Sequence, residues 1–297
     1  MHSVITALLW ALLMASSFIA SAHITPFASP LATTGLRFIL ALSIMTPLYC
    51  FISKPTYLSL ITVFKSPRLT LQYLLISGSL VGFFIGLFTA LKTTTPLNTA
   101  VIYTFVPIFG GLLLLACGQR TSFTHWLGYA IGSTGAISVL LFTREEKITW
   151  HTGDVIYLAA CALLALHVIS LQQWGRHATA FEGTYRIMFF SAVWLLPITL
   201  VWGNLEQVTW QSIHFWTLLI YLTLFTTLLS FVLQQRIIRY GGASRLLAFS
   251  YTIPIWVAVY QAIYSRVTLY SYGFIVGTFM VFIALFMIDT GKTAHSD

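Results

Sequence analysis

Ten stretches of this sequence run for sixteen to twenty-two residues with a single charged side chain between them, Arg37. Approximately, they are Val4–Ala22, Leu31–Ile52, Leu71–Leu91, Leu97–Leu115, Trp126–Phe142, Val155–Leu171, Ile187–Trp202, Trp216–Val232, Leu246–Ile263 and Tyr272–Met287. About 20 apolar residues cross the hydrocarbon of a bilayer as a helix. Closed barrels are the other spanning solution, but these runs are too long for barrel strands and lack period-two alternation. The expectation is therefore an all-α membrane protein with ten transmembrane helices. Composition agrees, because 7% charged residues against the roughly 25% of a soluble domain cannot cover a water-facing surface. The first run is read as a retained helix and not as a cleaved leader. No Lys or Arg precedes it, although "SFIASA" offers small residues for cleavage.

The net charge of +8 is spread along short connections and so reads as a topology signal, not as a nucleic-acid surface. With the N-terminus inside, ten basic residues fall on the inner side: Lys54, Lys65, Arg68, Arg120, Arg176, Arg186, Arg236, Arg239, Arg245 and Lys292. Four fall outside, namely Lys92, Arg144, Lys147 and Arg266. Lys and Arg concentrate on the cytoplasmic side, which places both termini in the cytoplasm. The segment "YLSLITVFK" (57–65) has the pattern of a short amphipathic helix lying on the inner face. Cys50, Cys117 and Cys161 are an odd, scattered set, expected to be small packing residues and not disulfides or metal ligands.

The chain also repeats itself. "YTFVPIFGG" (103–111) and "SYTIPIWVA" (250–258) each set a proline in an apolar run, 147 positions apart. The same offset places Lys92 on Arg239; an offset of 145 places Gly128 on Gly273 and Gly132 on Gly277. An offset of 151 aligns "VITALLWALLMASS" (4–17) with "VIYLAACALLALHV" (155–168). The common order of these matches divides the chain into five-span halves, residues 1–147 and 148–297. Five is odd, so the second half enters the membrane from the opposite side, as in transporters built from inverted repeats. Pro107 and Pro254 are then paired kinks, in the place where such folds put the substrate site. Transmembrane prolines also serve packing alone, and both readings stand.

With these features the chain resembles the drug/metabolite transporter superfamily, with two EamA-type halves. The residues carrying the likeness are "LLWALLMASSF", "PLATTGLRFILA" (30–41), "ALKTTTP" (90–96), and "YTFVP" leading to "CGQR" (117–120). In the second half they are "IRYGGASRLLAFSYTIP" (238–254) and "YGFIVGTFMVFIAL" (272–285). The resemblance implies a secondary transporter in the bacterial inner membrane. It works by alternating access, exporting amino acids or related small metabolites, with no cofactor or metal. An importer or exchanger of the same fold, a membrane enzyme and a channel remain alternatives. The implied partners are a small-molecule substrate and the lipid bilayer, with no nucleic acid; a homodimer is left open. The chain departs from the family where Gly-Glu often follows spans four and nine. Here those places hold Gly118-Gln119 and Ser265-Arg266, and Ala11 stands where a glycine commonly follows the first tryptophan.

Candidate site residues follow from what lies inside the spans. No acidic residue falls in a span interior, so the buried carboxylate that would carry a proton or meet a cationic drug is missing from the pattern. Arg37 offers a planar fork for a carboxylate; the alternative for it and for Arg186 is snorkelling to headgroups. His167 is the one deeply placed group that titrates near neutral pH, or else a hydrogen-bonded structural histidine. Tyr103, Thr104, Tyr251 and Thr252 precede the kink prolines, with Ser250 beside them. Trp10, Ser16 and Ser17 face them from span one, and Phe84 and Gln234 are weaker candidates. Hydroxyl and small side chains are also ordinary packing between membrane helices. No HExxH, phosphate loop, paired carboxylates or Gly-x-Ser-x-Gly elbow appears.

Overall fold

The computed structural model describes residues 2–52, 63–119, 121–142, 149–175, 178–265 and 272–290. Among them there is no strand, only helices and short connections. The helices are α1 (His2–Ile24), α2 (Pro30–Ile52), α3 (Pro67–Ala90), α4 (Pro96–Tyr103), α5 (Val106–Ala116) and α6 (Phe123–Phe142). They continue as α7 (Thr152–Trp174), α8 (Ala180–Trp202), α9 (Ile213–Tyr221), α10 (Ser230–Phe249), α11 (Ile253–Ser265) and α12 (Tyr272–Thr290). A π-helical segment, Leu222–Leu229, joins α9 to α10, and a 3-10 turn, Ser250–Thr252, joins α10 to α11.

Three helix starts share one local device. Ser29 Oγ accepts the Ala32 N–H at 3.1 Å, Ser66 Oγ that of Leu69 at 3.4 Å, and Thr95 Oγ1 that of Asn98 at 3.1 Å. In each case the next residue is proline. The hydroxyl satisfies a donor that the helix cannot, worth about 1 kcal/mol, and proline gives up an N–H the first turn would not use.

Eight stretches of the described residues are long and apolar enough to cross a membrane. α6 is not among them. One of the eight, Ile213–Tyr264, has 52 residues. As a straight helix it would measure about 78 Å, more than twice the roughly 30 Å of hydrocarbon. It does not run straight, because Gly242 inside α10 takes φ 77° and ψ 167°, a region that residues with a Cβ avoid. The break is capped by the Gln172 side-chain carbonyl, which accepts the Ala243 N–H.

The packing follows the repeat. α6 lies along α12 and α2 along α8; α3 lies along α7, and α10 along α1. Exchanging the two halves maps each of the first two pairs onto itself and the third onto the fourth. Pro47 and Pro197 extend the correspondence, each the eighteenth residue of a 23-residue helix, α2 and α8. At the α6–α12 crossing a Cβ on Gly135 would sit 2.8 Å from the Gly277 carbonyl oxygen, and one on Gly277 would sit 2.6 Å from that of Gly135. The sequence alignment pairs Gly132 with Gly277; in the fold Gly277 meets Gly135, and Gly132 receives the ring of Tyr251.

One large core, containing Trp10, Phe38, Tyr157, Ile169 and Phe231, runs through the bundle; a smaller one surrounds Ile24, Phe215 and Leu222. The outside is apolar too: Phe279, Phe282 and Phe286 on α12 are 67%, 55% and 70% exposed. Patches of that kind are a liability in water and a match to lipid. Of the segment 57–65, residues 57–62 lie outside the described residues, and 63–65 form a helical turn. Lys54, Arg120, Arg144, Lys147, Arg176, Arg266 and Lys292 lie outside them as well.

Gly277→Val should force the α6–α12 backbones apart. Overpacking of this kind costs about 1–3 kcal/mol, to be read as a lowered midpoint in thermal unfolding of the purified protein in detergent. A midpoint equal to that of the wild type would mean that the crossing is not close-packed.

Candidate functional site

Arg37 projects from α2 onto the π-helical segment. Its Nε donates to Thr227 Oγ1 at 3.1 Å, and its Nη2 donates to Thr227 Oγ1 at 2.9 Å and to Thr226 Oγ1 at 3.2 Å. The side chain is buried, with 7% of the residue exposed. Among the described residues no carboxylate lies within 4 Å of the guanidinium, and Nη1 makes no hydrogen bond. The two hydroxyls each donate to the Leu222 carbonyl, at 2.8 Å and 2.9 Å, which leaves their lone pairs turned to the arginine. The π geometry is what allows this: Thr227 reaches five residues back, as the wider turn requires. Segments of this type concentrate at functional sites. Thr226 and Thr227 are residues that sequence reasoning missed. The signal was there in "LTLFTTLLS" (222–230), where Thr223, Thr226, Thr227 and Ser230 recur at helical spacing, and all four are buried.

Thr227, Phe231 and Gln234 fall on one face of the same helical run, at i, i+4 and i+7. That face reaches the second group of predicted residues. Phe38 packs edge-on against Phe231 at 6.2 Å and against Phe84 at 6.0 Å. His167 on α7 is fully buried. Its Nδ1 lies 2.7 Å from the Ile76 carbonyl and its Nε2 lies 3.2 Å from Gln234 Nε2. A carbonyl only accepts, so the ring proton is on Nδ1, and Nε2 accepts from the Gln234 amide. Both nitrogens of a neutral imidazole are thereby satisfied. A second proton would go to Nε2 only if Gln234 rotated its oxygen toward the ring.

The proline pair is placed by interruption. α4 stops at Tyr103 and α5 restarts at Val106; α10 stops at Phe249, turns through Ser250–Thr252, and α11 restarts at Ile253. Pro107 and Pro254 each occupy the second position of the restarted helix, where a missing N–H costs little. The turns close through backbone bonds, among them Thr104 N–H to the Val101 carbonyl at 3.1 Å and Ile253 N–H to that of Ser250, and side chains add to them. Thr104 Oγ1 donates to the Val101 carbonyl at 2.7 Å, Ser250 Oγ to that of Leu247 at 2.6 Å, and Thr252 Oγ1 to that of Phe249 at 2.8 Å. The two breaks are joined through α6. Ser133 Oγ donates to the Thr104 carbonyl at 2.9 Å and lies 3.0 Å from the Tyr251 hydroxyl, which donates to the Tyr129 carbonyl at 3.1 Å.

The remaining candidates lie on α1 and α4. Trp10 is buried, and its Nε1 has no hydrogen-bond partner among the described residues. Ser16 accepts from the Tyr221 hydroxyl at 2.8 Å and donates to the Leu13 carbonyl at 2.8 Å, tying α1 to α9. Ser17 is half-buried. Tyr103 is half-buried and meets Phe18 edge-on at 6.1 Å.

One expectation is corrected. A buried carboxylate is present: Asp154, in the first turn of α7, has no exposed surface. It accepts from the Thr94 hydroxyl, from Asn98 Nδ2 at 2.7 Å and from the His151 N–H at 2.8 Å. By sequence it stands at a helix start, where water is expected; the 91–98 turn folds over it. Arg186 differs from Arg37 in having an acid, since its Nη2 pairs with Glu182 one turn earlier on α8.

The model of the EamA-like transporter family matches residues 1–141 and 151–290. No protein of curated function matches the chain by sequence. Among solved structures that match is one titled "Crystal structure of protein", 15% identical, aligned over 96% of each chain with a TM-score of 0.79. At that identity the likeness speaks for the fold alone.

Thr227→Val should remove the acceptor of two of Arg37's three hydrogen bonds while keeping the shape of the residue. A buried charge losing such partners costs about 1.5–3 kcal/mol, read as reduced thermal stability. Thr227→Ser should stay within about 1 kcal/mol of the wild type, since the hydroxyl is retained. Equal stability of Thr227→Val and wild type would dissociate the π segment from Arg37.

Proposed function

The chain belongs to the EamA-like transporter family, and from that premise we propose that it is a secondary transporter exporting amino acids or related carboxylate metabolites by alternating access. Its place is the bacterial inner membrane, crossed ten times with both termini in the cytoplasm. The count of ten takes α6 as a crossing and divides the run Ile213–Tyr264 at Gly242. The halves are residues 1–147 and 148–297, inserted with opposite topology.

The observation that carries the substrate class is Arg37. A buried guanidinium held by hydroxyls alone has geometry but no counter-charge, and an ionisable group at such depth is costly unless it is used. A substrate carboxylate accepting from Nη1 supplies the missing charge. Arginine suits this role because its planar fork orients a carboxylate as well as attracting it. The substrate's side chain and amino group would meet Trp10, Tyr103, Tyr251 and the hydroxyls of Ser16, Ser17, Thr104 and Thr252, with His167 closing the far side. Ring faces hold an ammonium by about 0.5–2 kcal/mol. The interrupted helices at Pro107 and Pro254 are the elements that would move, because their regular backbone ladder is already broken there.

Arg37→Gln should weaken substrate binding about ten- to a hundredfold, the loss of one charge-assisted bond of roughly 1.5–3 kcal/mol. Arg37→Lys should recover part of it, since the charge returns without the fork. The substrate itself is to be found by comparing metabolites released by cells with and without the protein, and binding then measured in proteoliposomes. Normal transport by Arg37→Gln, or transport of lipophilic cations alone, would refute this reading.

A further inference from the structure

α3 and α7 run side by side in opposite directions, and their two ends differ. At one end they are shut: a Cβ on Gly153 would meet the Ala90 carbonyl oxygen at 2.5 Å, and Asp154 is tied to Thr94 and Asn98. At the other end a pocket of about 550 Å³ opens, lined among others by Arg68, Gln72, Tyr73, Gln173, Trp174 and Arg186. That volume is within the range of small-molecule sites, about 300–1,000 Å³.

The charge around the pocket is out of balance. Arg68 is exposed in the first turn of α3, a turn with no acidic residue. A helix N-terminus already carries about half a positive charge and disfavours a cation there. Arg186 is held with its guanidinium over the Tyr73 ring, 5.3 Å from the centroid, with Nη1 3.4 Å from the Tyr73 hydroxyl. Arg239 donates to the carbonyl of Ala178, another residue of the wall, at 3.4 Å. Against these stands Glu182, paired with Arg186 through Nη2. Among the described residues, two arginines line the pocket beside a helix N-terminus, a third, Arg239, bonds to its wall, and Glu182 is the carboxylate set against them; positive charge gathered in this way favours a bound anion.

We propose that this pocket is a second ligand site, for a phosphate group carrying a small hydroxylated substituent. Arg68 and Arg186 would take the phosphate oxygens, the pairing for which guanidinium forks are suited. The amides of Gln72 and Gln173 offer donors and acceptors for hydroxyl groups, and Trp174 supplies an apolar wall. Two sources present this chemistry, a glycerophospholipid headgroup of the membrane face and a soluble phosphate ester. Basic pockets between membrane helices do recruit anionic headgroups. The site is separate from Arg37 and does not rest on the substrate reading above.

The test uses the full-length protein with two probes. Glycerol 3-phosphate is titrated against protein in neutral detergent, with thermal unfolding as the readout. Bound phosphatidylglycerol is counted by native mass spectrometry after extraction from discs of phosphatidylcholine containing it. Binding of glycerol 3-phosphate identifies a soluble ligand, and retention of phosphatidylglycerol alone identifies a lipid site. Two variants give effects of opposite sign. Arg68→Gln should weaken the probe that binds by about tenfold, and Glu182→Gln should tighten it about threefold by releasing Arg186. Arg37→Gln should change neither. If neither probe binds above the phosphatidylcholine control, or if Arg68→Gln and Glu182→Gln bind as the wild type does, the proposal is overturned.

Discussion

In hydrocarbon no water is available to the backbone, so every N–H and C=O must find its partner within the protein. The architecture depends on that constraint, most visibly where the helices are not regular. Four interruptions occur in the described residues: at Thr104–Phe105, in the π segment 222–229, at Gly242 and at Ser250–Thr252. Each is serviced by side chains. Thr104, Ser250 and Thr252 bond back to carbonyls of the preceding turn, and Thr226 and Thr227 do so within the π segment. Gln172 caps the break at Gly242, and its own amide is anchored by Gln119 at 3.3 Å. An unserviced break would cost several kcal/mol per orphan group, so irregular backbone is confined to places where other helices supply hydroxyls and amides.

The same scarcity of water governs the charges. Asp154, Arg186 and Arg37 are all buried, and each has a different solution. Asp154 is surrounded by donors at a helix N-terminus, where negative charge is favoured. Arg186 has an acid one turn away and an aromatic face beneath it. Arg37 alone among these three is left with neutral acceptors. Asp154 meets donors and Arg186 meets a carboxylate and a ring within the protein, whereas the partners of Arg37 are two hydroxyls.

The two halves correspond more closely in packing than in polar chemistry. At the offset of 151 that aligns the first spans, His167 falls on Ser16 and Arg37 on Met188. Pro47 with Pro197 and Pro107 with Pro254 are matched in place, whereas the π segment in the second half faces a regular α3 in the first. Shape is thus repeated more closely than polar chemistry, although Lys92 falls on Arg239 at the offset of 147 and Arg37 within two residues of Arg186 at that of 151.

Much of the fold was legible in the sequence because its causes are local. Run lengths against bilayer thickness set the helices, and the matched prolines marked the repeat. The site was legible only in part. Arg37, His167, Tyr251 and the prolines stand out as residue types foreign to an apolar run, so composition alone exposes them. What each touches depends on helices more than 100 residues away in sequence: Thr226 and Thr227 for Arg37, Ser133 and Tyr129 for Tyr251. The burial of Asp154 came from a turn in the other half, and the contact of Gly135 with Gly277 from the crossing of α6 and α12. Period and polarity act along the chain and can be read from it. Partnership acts across the bundle and is decided by crossing angle and register, which no single segment encodes.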